Sequence, residues 1–173
     1  MHLIIFSFFF VFSFQSFAQS YSLESGSAIY EIKHLIKRVS GESNKLKGKI
    51  VCAETECEFL VAIPLNTFNS GDSNRDLNMQ NIVEASKFPL TTAKGKFPSA
   101  YMMQERWELP VEIDFHGIKK KYHAQVINKK NFNTAVNLII KLEEHHIDRP
   151  SLFGIQINDE VKIGFNLLWN RGS

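Results

Sequence analysis

The run Trp107-Glu108-Leu109-Pro110-Val111-Glu112-Ile113-Asp114-Phe115 alternates along its whole length between large apolar residues and polar residues or proline. Successive strand side chains point to opposite faces, so Trp107, Leu109, Val111, Ile113 and Phe115 share one face and need a common apolar interior. The same period of two recurs along the chain. It runs through Ala28–Ile36, with Tyr30, Ile32 and Ile36 on one side, and through Lys47–Val51 and Glu58–Ile63. It returns in Thr91–Phe97, Lys121–Asn128, Phe132–Leu142 and Glu160–Trp169, the last with Val161, Ile163, Phe165 and Leu167 aligned. Tyr21-Ser22-Leu23 reads as a poor first strand. Seven or eight strands joined by short turns predict an all-β barrel or sandwich. Closure into a barrel is attractive because it leaves no exposed edge, and about eight strands enclose room for one small ligand.

One segment breaks the period. Asn69-Ser70-Gly71-Asp72-Ser73-Asn74-Arg75-Asp76-Leu77-Asn78-Met79 is polar and turn-prone, and the stretch from Asp72 to Ala85 suits a short helical insertion around residues 73–85. Asp72 or Ser73 can cap it, and Asp76 lies near its first turn. Leu77, Ile82 and Val83 are candidates for its buried side. The helix must end before Phe88-Pro89, because a residue ahead of proline avoids the α region.

Residues 1–18 read as a secretory signal peptide. Leu3–Phe14 is apolar apart from two serines, and Ser16 and Ala18 supply the small residues that precede a cut after Ala18. The apolar run is shorter than the roughly 20 residues of a membrane span. Its removal leaves one domain, residues 19–173, with the formal net charge still +2. That balance argues against nucleic acid as a partner. Lys119-Lys120-Lys121 and Lys129-Lys130 read as solvated turns, with a transient membrane-surface contact as the sharper reading. Cys52 and Cys57 are the only cysteines and flank Ala53-Glu54-Thr55-Glu56 between two strand-like runs. A four-residue hairpin turn sets their Cβ atoms opposite each other, and in an oxidising compartment a local disulfide is the natural outcome. Two thiols with no His nearby lack a tetrahedral metal-ligand set.

In order and spacing these elements resemble the YceI-like family of periplasmic, lipocalin-like, polyisoprenoid-binding proteins. Tyr30-Glu31-Ile32-Lys33-His34 with Gly41 is similar to the family's opening aromatic-x-aliphatic-x-His strand. Ser70-Gly71…Arg75-Asp76-Leu77-Asn78-Met79 resembles its loop, with Asn78 in place of the usual His, and Phe88-Pro89 resembles its aromatic-Pro step. Leu109, Val111, Ile113 and Phe115-His116-Gly117 cover part of its Gly-rich hairpin. Ile147-Asp148-Arg149…Phe153-Gly154-Ile155 and Asp159–Ile163 are similar to its last elements, so the likeness spans about residues 27–169. The resemblance implies an eight-stranded antiparallel barrel with a helix near one end. It implies an interior holding an isoprenoid-like lipid, of polyprenyl or quinone type, for transport or storage in a periplasmic or secreted protein. Asn78 in the His position keeps a hydrogen bond and loses titration.

A long lipid tail needs an apolar tunnel with few polar anchors. Seven of the fifteen Phe fall in residues 1–18; Phe59, Phe68, Phe88, Phe97, Phe115, Phe132, Phe153 and Phe165 remain. Of these, Phe68, Phe88, Phe97, Phe115, Phe153 and Phe165, with Met79 and Trp107, are the expected cavity wall; ordinary core packing is the alternative for each. Arg75-Asp76 and Asp148-Arg149 are read either as a polar mouth, with Arg75 and Arg149 toward a head group, or as loop clamps, the favoured reading. His145-His146 beside Glu143-Glu144 completes no metal set. No nucleophile elbow and no phosphate loop is present. The expected function is lipid binding without catalysis, cofactor or metal. The alternatives are an envelope protein-interaction module without lipid, or an enzyme acting on an isoprenoid lipid. No feature of the sequence sets an oligomeric state.

Overall fold

A computed structural model describes residues 18–34, 37–152 and 154–172. The expected signal segment up to Phe17, the strand residue Ile36 and the expected wall residue Phe153 lie outside the described residues. The strands are β1 (Gln19–His34), β2 (Lys37–Ser43), β3 (Lys47–Cys52), β4 (Glu56–Pro64), β5 (Leu90–Pro98), β6 (Arg106–Phe115), β7 (Ile118–Lys129), β8 (Asn133–Lys141), β9 (Ser151–Leu152), β10 (Ile155–Gln156) and β11 (Glu160–Arg171). One helix, α1 (Ser73–Ile82), separates β4 from β5. In ring order β1, β3, β4, β5, β6, β7, β8 and β11 pair antiparallel with their neighbours, and β11 pairs back onto β1. The result is a closed eight-stranded barrel.

Two staves differ from the simple hairpin pattern. β2 and β3 pair with β1 in a single register, Ala28 facing Ser43 and Tyr21 facing Ile50, so they form one stave interrupted at residues 44–46. The poor first strand is part of a long one: Tyr21–Leu23 continues into Ser25–His34 through a register shift between Leu23 and Ser25. Side-chain pattern is weak there, but β11 supplies backbone partners on both sides of the shift. Ladder pairing satisfies the backbone of a serine as well as that of a valine. Inward positions follow the two-residue period: Leu109, Val111, Ile113 and Phe115 of β6 are buried, as are Val161, Phe165, Leu167 and Trp169 of β11.

The Asp72 carboxylate caps α1, accepting from the backbone N–H of Asn74 (3.0 Å) and Arg75 (3.1 Å). The helix ends at Ile82, and Val83–Ala85 is a turn, shorter than the expected span. Val83 is buried and Met79 and Ile82 are half-buried, but Leu77 is 57% exposed. The reason is helical phase. Arg75, Met79 and Ile82 recur at three- and four-residue spacing on one side, and Leu77 lies two residues from Arg75 and Met79, on the other.

Side-chain contacts tie the loops at each end of the barrel. At one end Cys52 and Cys57 face each other across the β3–β4 hairpin as a disulfide. Ser99 anchors the β5–β6 turn to that hairpin, its N–H donating to Thr55 O (2.9 Å) and its hydroxyl to Glu54 O (2.8 Å). Asn128 Nδ2 on β7 donates to Tyr101 O (3.0 Å) and Gln104 O (2.8 Å) in the same turn. At the other end, the segment after α1 is latched to the β6–β7 turn. Phe88 packs on His116 with ring centroids 4.7 Å apart, and Gly117, at φ +72°, leaves the space that ring occupies. A Cβ at Gly117 would lie 2.7 Å from Phe88 Cε1.

Candidate ligand cavity

The inward faces do not fill the barrel. A cavity of about 600 Å³ occupies the disulfide end, walled by Phe59, Phe97, Trp107, Leu109, Val126 and Trp169 among others. A second, about 290 Å³, lies under α1 and is lined by Tyr30, Phe68, Arg75, Asn78, Met79, Ile82 and Phe115 with their neighbours. Ala93, Ile113, Leu138 and Phe165 line both. The two chambers therefore adjoin at a waist of four apolar side chains, one toward each end of the barrel.

Polarity is confined. Every polar residue lining the larger chamber belongs to residues 104–105 or 128–134, the rim formed by the β5–β6 turn and the β7–β8 hairpin. Exposed residues of these turns, Met103, Lys129 and Lys130 among them, carry this lining to the surface, so the chamber opens there. In the smaller chamber Arg75 and Asn78 of α1 and Thr91 and Thr92 of β5 are polar. Tyr30 leans its ring over Gly41, whose missing side chain makes room for it, and meets the edge of Phe68 at 5.5 Å. Burial is the main cause that pushes the Tyr30 phenol above its usual range, with the Asp76 charge adding to it. Trp107 is wedged between Phe97 (4.9 Å) and Tyr101 (5.3 Å), with its indole N–H buried and unpaired.

Of the singled-out residues, the structure brings Phe97 and Trp107 to the larger chamber, and Phe68, Arg75, Met79 and Phe115 to the smaller, with Phe165 at the waist. Phe88 and Arg149 sit elsewhere. Phe88 is the latch on His116, and Arg149 ties its loop down through Glu143 (2.6 Å) and Ile157 O (3.3 Å). The neighbouring charges of the two Arg-Asp pairs do not bridge each other: Arg75 meets Asp72 at 3.7 Å, while Asp76 accepts from Ser70 N–H at 2.9 Å. Trp169, Met102 and Met103 also line the bore. Trp169 was legible, two residues beyond Leu167 in the same phase; the methionines lie on a turn, where no period applies.

His145 is fully buried but outside both linings. Its Nδ1–H donates to Phe115 O (3.0 Å) and Ile118 O (3.1 Å). Nε2 faces the Tyr122 hydroxyl at 2.9 Å, which also lies 2.8 Å from Glu144 Oε2. Burial holds the imidazole below its usual pKa and, with Glu144 beside it, raises the Tyr122 phenol. These groups are engaged with backbone and with one another, which makes the cluster a structural tie between β7 and the 143–145 turn.

Residues 21–168 match the YceI-like domain. Among curated proteins, none matches the chain. Among solved structures, a polyisoprenoid binding domain from Saccharophagus degradans implicated in plant cell wall breakdown superposes with a TM-score of 0.68 at 18% identity. It covers 88% of this chain and 98% of that one. BcnA of Burkholderia cenocepacia gives 0.67 at 15% identity, over 86% and 96% of the two chains. A Campylobacter jejuni YceI protein gives 0.56 at 18%, over 82% and 90%. At these identities the likeness to the solved structures is one of fold.

Proposed function

Because the chain belongs to the YceI-like family, we propose that its bore holds the tail of an isoprenoid-like amphiphile, of polyprenyl or quinone type. The protein carries or stores that lipid and makes or breaks no bond. One observation supports this above the rest: two apolar chambers adjoin at Ala93, Ile113, Leu138 and Phe165 and lie end to end in the barrel, an arrangement that suits a long tail. Each methylene moved from water into such a bore contributes about 0.8 kcal/mol, or about 4 kcal/mol for a five-carbon isoprene unit. The description of the Saccharophagus protein as polyisoprenoid binding supports the same ligand class.

Phe68, Met79, Phe97, Trp107, Phe115 and Phe165 are the proposed tail contacts, and Arg75 is a proposed polar contact of the ligand. Residues 1–18 are the proposed signal peptide, and residues 19–173 the exported barrel, periplasmic or secreted. The Cys52–Cys57 disulfide supports export, since such bonds persist in oxidising compartments.

The test is to purify the protein from the periplasm of its own cell, extract it with organic solvent and analyse the extract by mass spectrometry. A prenyl lipid in stoichiometric amount is expected, on a chain starting at Gln19. An empty barrel, or one holding only phospholipid acyl chains, would remove the proposal.

A further inference from the structure

We propose that the rim of the larger chamber is a membrane-docking tip, which seats on an anionic bilayer through Met103, Phe132, Lys129 and Lys130 and admits lipid from it. The proposal rests on the carrier reading above and adds the surface from which the cargo is drawn.

The first observation is apolar exposure at the opening. Met103 is 90% exposed and Phe132 49% exposed, and both line the chamber. The second is backbone conformation. Asn131 and Phe132 both have positive φ, +61° and +54°. Left-handed backbone favours Gly and tolerates Asn, because bulky L residues rarely adopt it. Asn131 fits that rule and Phe132 breaks it. The ring stays half in solvent, leaning on Tyr21 with ring centroids 5.7 Å apart. A strained, half-exposed aromatic at a cavity mouth is where strain tends to be kept for function.

Charge selects the partner. Lys129 and Lys130 are exposed, and among the described residues neither has an ion pair. The acid at the rim, Glu105, is matched by Arg106 at 4.0 Å. Two unpaired cations flanking two protruding apolar side chains suit the boundary of an anionic membrane, where amines meet phosphates and apolar groups reach the acyl layer. Docked this way, the opening of the bore faces the acyl layer, and a tail passes between the two without crossing water.

The test uses the mature chain with vesicles of phosphatidylcholine, alone or mixed with phosphatidylglycerol. Flotation measures capture, and movement of a fluorescent prenyl lipid between vesicles measures transfer. Capture by the mixed vesicles alone is expected, falling roughly fivefold for each of Lys129→Ala and Lys130→Ala. Phe132→Gly suits the turn and so keeps the hairpin; it should slow transfer between vesicles by a larger factor than it weakens binding of a short prenyl alcohol in solution. Equal capture by both vesicles, no capture, or full transfer by Phe132→Gly would overturn the tip. A wild-type chain that binds prenyl alcohol but no vesicle defeats the tip and spares the carrier reading. A chain that binds anionic vesicles but no prenyl lipid defeats the carrier reading instead.

Discussion

Ala93→Leu tests whether the two chambers act as one. Ala93 lines both, is buried, and lies between Val61 and Ile113 in the sheet, so three added carbons enter the waist beside Leu138 and Phe165. Overpacking of this kind costs about 1–3 kcal/mol of stability, a loss a domain tolerates while staying folded. The effect on binding depends on tail length. A tail that ends within the 600 Å³ chamber never reaches the waist and keeps its affinity. A longer tail loses the 290 Å³ chamber. Each isoprene unit excluded from it costs up to about 4 kcal/mol, roughly a thousandfold in affinity. The protein carries its own reporter, since Trp107 and Trp169 are its two tryptophans and both line the larger chamber. Their fluorescence, titrated with prenyl alcohols of increasing length, should show wild type and variant alike for short chains and diverging for long ones. Equal loss at every length, or none at any, would refute the continuous bore.

Replacing Cys52 and Cys57 together by serine should cost about 2 kcal/mol in chemical denaturation, the loop-closure value for so short a loop. His145→Leu should cost about 1–3 kcal/mol at pH 8, because Phe115 O and Ile118 O lose their buried donor. It should also flatten the acid limb of stability. Burial depresses the folded-state pKa of His145, so its contribution is complete above the unfolded value of 6.5 and is lost as the pH falls from there through the lowered folded-state value. A wild-type urea midpoint that stays level from pH 8 to pH 5 would contradict this. Gly117→Ala forces a side chain into a left-handed backbone and onto Phe88, and should lower the melting temperature more than Gly154→Ala, where φ is +75° but nothing lies near. Equal losses at the two sites would mean that the Phe88 latch carries no stability.

Local rules made much of this protein legible in its sequence. The two-residue period identifies the inward face of β6 and β11, because a strand alternates faces whatever it packs against. Asp72 announces the helix start, and two cysteines across a four-residue turn announce their bond, since both depend on near neighbours only. The sides of α1 were harder, and Leu77 turned outward because the helix meets the barrel along the Arg75–Met79–Ile82 side. Phe88 looks like a wall residue in sequence, yet it holds a loop in place, as a distant chain segment supplies its partner; Arg149, read as a mouth residue or a loop clamp, ties its loop down. Hollowness itself belongs to the tertiary structure. A period of two says which side chains face inward, but how far apart opposite walls stand depends on how many strands close the ring and at what stagger. The same inward residues on a narrower ring would meet and fill it.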